Sequence, residues 1–235
     1  MNKFSLIIPC YNEQNNIDEL TNQIIYLNKR VSFDAILIDN GSNDETRKEL
    51  IKVRENKKIK NLELVFIDKN IGFGNAIKKG ILKSRNDLIC YTHADLQTDL
   101  NDVLTAYEIY IKNGAKNLFI KGYRLKRTLF DSFFTYGMTL IISLLFLSKL
   151  KDIHAQPNFF NKNIIKNINF LPNDFSIDIY LLLAAKKTKQ KLIRFNVFFS
   201  KRLHGIGNNE KFLRKILHAV KIILSSFKLI FSGKF

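Results

Sequence analysis

FSLIIPCYNEQNNIDELTNQIIYLNK, residues 4–29, joins an apolar run to a short polar loop and then to an amphipathic pattern. FSLII (4–8) reads as a strand, and NNIDELTNQIIYLNK (15–29) reads as a helix. The unit recurs along the chain. AILID (35–39) leads to NDETRKELIKVREN (43–56), LELVFI (62–67) to GFGNAIKKGILKS (72–84), and DLICY (87–91) to TDLNDVLTAYEIYIKN (98–113). NLFIK (117–121) follows as a fifth strand. Asn43 and Asp44 suit the start of the second helix, and Asp99 or Asn101 the start of the fourth. Strand–helix alternation with short connections predicts an α/β fold, a mostly parallel sheet with helices on both faces. Ligands of such sheets bind at the carboxyl ends of the strands. PCYNE, DNGSND, DKNIGFGN and THADLQ should therefore gather at one edge.

Within that edge, YTHADLQTD (91–99) carries the most chemistry. On an extended segment His93, Asp95 and Gln97 share a face. Their donors suit magnesium or manganese, which bind through one or two protein groups plus substrate phosphates. No thiolate or second histidine stands at zinc spacing. A solvated loop ending in a helix cap uses the same residues. Asp39, closing the second strand, is placed to hydrogen-bond a base or ribose, although DNGSND is equally a turn that opens a helix. DKNIGFGNAIKKG contains neither G-x-G-x-x-G nor a Walker sequence. Gly72 and Gly74 instead allow backbone to approach a ligand or a neighbouring loop.

At 235 residues the chain suits one domain, or one domain with an appendage. Lys and Arg number 38 against 21 Asp and Glu, a net +17 that points to anionic partners. No nucleic-acid motif accompanies that charge, so nucleic acid is not an expected partner. Twenty Phe and no Trp add aromatic mass suited to lipid. Two cysteines, Cys10 and Cys90, are too few for a disulfide framework, and with no signal-peptide pattern ahead of the first strand a reduced cytosolic setting is expected. After Thr128 the texture changes. LFDSFFTYGMTLIISLLFLSKL (129–150) lacks charge between Asp131 and Lys149, a run too short to span a bilayer comfortably. A polar patch, KDIHAQPNFFNK (151–162), precedes a helix around SIDIYLLLAAKK and a strand around KLIRFNVFF. In the last segment Lys211, Arg214, His218, Lys221, Ser225 and Lys228 form a basic stripe on an apolar helix. Residues 128–148 and 210–231 are either interfacial membrane helices, aided by Lys126 and Arg127, or core and dimer elements.

IIPCYNEQNNI (7–17), AILIDNGSNDET (35–46), KNIGFGNAIKKGI (69–81), HADLQTD (93–99) and GYR (122–124), in that order, resemble the family 2 glycosyltransferases. The nearest branch is the polyprenyl-phosphate sugar transferases. The resemblance covers 1–124 and continues faintly through DIHAQPNFF, Asp178 and KRLHG. It implies the GT-A nucleotide-sugar fold over 1–209, with a nucleotide-sugar part at 1–124, an acceptor-facing part at 125–209, and a basic membrane-associating helix at 210–235. Carried over by position, Pro9, Tyr11, Glu13, Ile38 and Asp39 line the nucleotide pocket. His93, Ala94 and Asp95 take the place of the Asp-x-Asp signature, with Asp95 and Gln97 reaching Mg2+ or Mn2+. Arg124 faces the donor diphosphate or acceptor phosphate, and Arg202 closes over the nucleotide.

Three positions depart from the family. Asn40 replaces a second Asp, His93 replaces the first Asp of the signature, and Asn208 stands where a Lys often follows the closing Arg. The implied reaction is attack by an acceptor oxygen on the anomeric carbon of a nucleoside-diphosphate sugar, with Asp95, Arg124 and Arg202 as the catalytic set. A polyprenyl-phosphate acceptor needs no general base; a lipid-linked or surface saccharide does, and Asp174 and Asp178 are the candidates. A membrane-bound member without turnover is a third reading, kept open by His93. The expected place is the cytoplasmic face of the membrane, peripherally bound to an anionic surface, with room for a separate membrane subunit.

Overall fold

The computed structural model describes residues 3–56, 58–125, 129–200, 202 and 212–231, with backbone alone at 129–135, 212–215, 218 and 229–231. The first half follows the alternation of its sequence: β1 (Phe4–Cys10), α1 (Ile17–Asn28), β2 (Phe33–Asn40), α2 (Thr46–Glu55), β3 (Leu62–Ile67), α3 (Phe73–Lys83), β4 (Leu88–Tyr91) and α4 (Asn101–Lys112). The second half is β5 (Leu118–Leu125), α5 (Leu129–Leu145), β6 (Asn158–Asn161), α6 (Ile177–Lys187), β7 (Lys191–Phe198) and α7 (Phe212–Phe231). Asp44 and Asp99 accept from the first backbone N–H of α2 and α4 respectively, at 3.0 and 2.8 Å.

One sheet takes all seven strands, in the order β3-β2-β1-β4-β6-β5-β7. Pairings are parallel except at β6, which runs antiparallel to both neighbours. The sequence reading leaves β6 inside a polar patch. Its four residues are too few for a period, and Asn158 and Asn161 bracket a pair that splits across the sheet: Phe159 joins one core and Phe160 the other.

The same alternation builds both cores. Phe4, Leu6, Ile8 and Cys10 of β1 pack under α1 and α4, whereas Ile7 packs under α3 and α6. α5 and α7 lie on this second face, each inserting one fully buried aliphatic residue, Ile142 and Ile222. Their outer surfaces are apolar as well. Tyr136, Leu140, Leu144 and Leu147 recur at helical spacing along and just beyond α5, and Leu217, Val220, Leu224 and Phe227 do so on α7, all exposed. Lys221 and Lys228 are exposed beside that stripe. Among the described residues no helix is long and apolar enough to cross a membrane.

Gly72 and Gly74 serve a neighbouring loop. Gly72 holds φ +130°, and a Cβ on it would lie 2.2 Å from the Asn173 carbonyl oxygen; one on Gly74 would lie 2.3 Å from that of Pro172. The N-terminus of α3 thus butts directly against the loop leading into α6, and Asn75 N–H donates to Asn173 at 2.9 Å. Gly74→Ala should cost about 1–3 kcal/mol through overpacking. Gly137, in α5 with open space around it, should gain roughly 0.5–1 kcal/mol as Ala. Urea unfolding of the two variants should therefore move in opposite directions.

Candidate active site

The carboxyl ends of β1 and β2 are stitched together by their loops. Asn12 N–H donates to Ser42 Oγ at 3.1 Å and Glu13 N–H to Thr46 Oγ1 at 2.8 Å, while Asn43 N–H donates back to Asn12 Oδ1 at 2.9 Å. Asn40 Nδ2 reaches Asn70 Oδ1 and the Gly72 carbonyl, both at 3.4 Å, bringing in the glycine loop. Three of the four expected loops meet here, and the fourth joins through Glu13.

Asp39 is fully buried. One oxygen accepts from Ser42 N–H at 3.0 Å and the other from Arg47 Nε at 2.6 Å, with Arg47 anchored in turn on the Ile67 carbonyl. Pro9 is buried beside Ile38, its register partner. The side chains of Ile38 and Ala94 belong to the two cores, so only their backbone groups are left for a ligand. Tyr11 is half-buried on the same edge.

The stretch after β4 is not extended. Leu96 adopts φ +57°, and Gln97 N–H turns back to Asp95 Oδ1 at 3.2 Å. An Asp side chain that bonds its own backbone two residues on favours such a turn over continued strand. His93, Asp95 and Gln97 therefore do not line one face of a strand as the sequence alternation suggests. Gln97 instead ties down the chain beyond β7: its Nε2 donates to the Ser200 carbonyl at 3.1 Å, and Ser200 N–H returns to Gln97 O at 2.8 Å. Two residues later Arg202 Nη2 donates to Asp95 Oδ2 at 3.0 Å, with Nη1 3.9 Å from Glu13 Oε1. Burial, with the Asp95 charge adding, pushes the Glu13 carboxyl up to about 7, against the Asn16 hydrogen bond.

Two carboxylates face one cation here, and the Gln97 amide oxygen is free of its Ser200 link. That donor set fits a divalent ion held by few protein groups, with Arg202 occupying the cationic position. Among the described residues no three His, Cys, Asp or Glu side chains cluster as a metal cage. His93, ring-to-ring with Phe73 at 5.0 Å, has its pKa lowered by burial and by Arg124 and Arg202, so it is neutral at pH 7.

A second polar cluster, absent from the sequence reading apart from Asp178 and Arg124, lies across β4, β6, β5 and β7. Tyr91, Asn158, Lys121 and Arg194 are direct register partners in one row on the second face. Lys121, fully buried, donates to Asn158 Oδ1 at 2.6 Å and Ala155 O at 2.7 Å; burial lowers its pKa to about 7. Above the row Asp178 accepts from the Tyr91 hydroxyl and meets His154 Nδ1 at 2.9 Å. Burial alone would raise the Asp178 pKa, but Lys121, His154 and Tyr91 bring it below the usual carboxylate value. Arg124 is held by Asp152 through its backbone N–H, Nε and Nη2 and lies over Phe199. Asp174 accepts from Ser176 N–H at 2.9 Å at the entry to α6, and its other oxygen accepts from Ser225 of α7. The expected basic residues Lys126, Arg127 and Lys211, with Asn208 and most of KRLHG, lie outside the described residues, as do the side chains of Arg214 and His218.

Comparison with known proteins converges on this architecture. The chain is 27% identical over 202 residues to a dolichyl-phosphate beta-glucosyltransferase of Dictyostelium discoideum, covering 78% of this chain and 62% of that protein. It is 24% identical to a dolichol-phosphate mannosyltransferase of Pyrococcus furiosus, with 80% and 54% covered. An undecaprenyl-phosphate 4-deoxy-4-formamido-L-arabinose transferase of Proteus mirabilis is 29% identical, over 44% of this chain and 32% of that one. The chain thus spans little more than half the length of the first two relatives. Glucosyl-3-phosphoglycerate synthase from Mycobacterium tuberculosis, solved with Mn2+ and UDP, superposes with a TM-score of 0.69 over 96% of this chain and 80% of its own, at 15% identity, which establishes the shared fold. The family model described as Glycosyl transferase family 2 matches residues 5–164, well over half of the chain, and the protein belongs to that family.

Proposed function

We propose that this protein transfers a sugar from a nucleoside diphosphate sugar to a polyprenyl phosphate at the membrane surface, and that it requires a divalent metal. The observation that carries the acceptor assignment is the state of the carboxylates on the acceptor side. Asp152, Asp174 and Asp178 are all committed, to Arg124, to the α6 entry with Ser225, and to Tyr91 with His154. None of these three carboxylates is free to take a proton from an alcohol, which leaves the imidazole of His154 as the basic group at hand. A phosphate oxygen is ionised without help, so an acceptor of that class suits the arrangement. The named activities of the dolichyl- and undecaprenyl-phosphate relatives support the same reading.

On the donor side the loops after β1 and β2 offer backbone groups, Tyr11 and Glu13 to the nucleotide. Asp95 and Gln97 would hold Mg2+ or Mn2+, which would supply charge neutralisation for the leaving diphosphate. Arg202 leaves its contact with Asp95 to take up the diphosphate, adding a cation where negative charge grows. His93, neutral, offers one hydrogen bond toward ribose or phosphate. The exposed apolar faces of α5 and α7, flanked by Lys221 and Lys228, support peripheral attachment to an anionic cytoplasmic leaflet.

A panel of nucleotide sugars with undecaprenyl phosphate, manganese and purified protein tests the reading; transfer to a free saccharide with none to the lipid phosphate would overturn it. Asp95→Asn should lower turnover by about 100-fold or more and abolish the manganese dependence of nucleotide affinity, read by titration calorimetry. For the membrane, deleting α7 is a poor test because Ile222 is part of the core. Changing Lys221 and Lys228 together to Gln should weaken partitioning onto phosphatidylglycerol vesicles roughly 30-fold, at about 1 kcal/mol per lysine. Unchanged retention in flotation would remove the electrostatic part of the assignment.

A further inference from the structure

Among the described residues, the acceptor-side cluster leaves His154 Nε2 and both terminal nitrogens of Arg194 buried without a hydrogen-bond partner, and of these only the imidazole nitrogen can accept a proton. Its Nδ1 lies 2.9 Å from Asp178 Oδ2, and Asp178 stays ionised. That carboxylate fixes the imidazole with the proton on Nδ1 and leaves Nε2 as the working atom. Nε2 is buried and has no hydrogen-bond partner among the described residues, although the side chain keeps 15% of its surface open. A buried polar atom without a partner is costly and calls for a reason. The ring is positioned from three sides: Asp178 from α6, the Phe175 ring edge-on at 6.1 Å, and the backbone between Asp152 and Ala155. The charged groups around it are Asp178 of α6, Lys121 and Arg124 of β5 and Asp152 on its own segment, with Tyr91 of β4 bonded to the same carboxylate and Arg194 of β7 beyond Lys121.

We infer that His154 Nε2 binds the acceptor's phosphate oxygen and shares a single proton with it. The inference rests on the lipid-phosphate reading above. If the phosphate arrives as a monoanion, its P–O–H donates to Nε2; if it arrives as a dianion, the imidazolium N–H donates to it. In either form one proton lies between the two atoms. When the oxygen attacks the anomeric carbon, a new C–O bond forms, the bond to the diphosphate breaks, and the proton remains on Nε2. Asp178 balances the imidazolium, and so acts as the positioning residue rather than as the base. The pair gives this site a preference for a phosphate monoester over a neutral hydroxyl.

Two amide variants separate this role from a structural one. In His154→Gln the amide nitrogen reaches the place of Nε2, whereas in His154→Asn it stands at the place of Nδ1 and keeps only the link to Asp178. Full-length protein would be titrated with farnesyl phosphate followed by 31P NMR, with UDP binding and thermal unfolding measured alongside. Gln should hold farnesyl phosphate within about threefold of wild type, and Asn should weaken it at least tenfold, with UDP affinity preserved in both. The KM for undecaprenyl phosphate should follow the same order. Asn behaving as wild type while Gln fails would show that His154 merely braces Asp178 and would overturn the inference. Equal binding by all three proteins would overturn it too. Wild type that neither binds farnesyl phosphate nor uses the lipid would refute the lipid-phosphate reading itself, and the role of His154 with it.

Discussion

Asp178 keeps a negative charge where 1% of its surface meets water. Such a charge is tenable only with hydrogen bonds on its oxygens and a counter-ion nearby. Tyr91 and His154 supply the first and Lys121 the second, from β4, from the segment before β6 and from β5. Removing one partner of a buried pair typically costs about 3–5 kcal/mol, because the remaining charge is left alone. The constraint therefore fixes two strands, the segment before β6 and the first turn of α6 to one another. It lies at the place where the sheet changes from parallel to antiparallel, which hydrophobic pattern alone would leave loosely specified.

On the other side of β4 the same electrostatics runs with the sign reversed. Glu13 and Asp95 come together from two loops, and their mutual repulsion contributes to holding the Glu13 carboxyl near 7. A cation is needed between them, and the tether of Ser200 to Gln97 delivers Arg202 to that point. Arg202 is 28% exposed, far less sealed than Arg124 at 10%. One arginine is thus placed where it can exchange partners, and the other is locked to Asp152 as part of the frame. Position in the motif does not separate these two roles; burial and the number of bonds do.

The strand–helix alternation of residues 4–121 was legible because each element is long enough to show its period and each loop carries its own polar signal. β6 was not, since four residues with an apolar pair at the centre display neither period. Asp95 stood out in the sequence as a candidate ligand, whereas the turn at Leu96 did not show, because leucine carries no preference for positive φ. The pairing of Asp39 with Arg47 was hidden for another reason: a lysine- and arginine-rich helix gives no sign of which cation turns inward. Lys121 and His154 stood in plain view and drew no attention. Their meaning comes from Asp178, 57 and 24 residues further along, and no local pattern encodes a contact made across four strands.

The loop at 172–176 ties the C-terminal helix to the rest of the fold. Pro172 and Asn173 press their carbonyls against Gly74 and Gly72 on the donor side, and Asn173 also accepts from Asn75. Asp174, next in line, caps the entry to α6 with one oxygen and holds Ser225 of α7 with the other. Phe175 then stacks on Phe73 at 4.9 Å and stands edge-on to His154. Four consecutive residues thus touch the glycine loop, His154 and the helix that exposes Leu217, Val220, Leu224 and Phe227. Under the proposed function, a force applied to α7 at a lipid surface would act on a wall shared by both substrates' sites, because backbone contacts this close have no slack in which to absorb it.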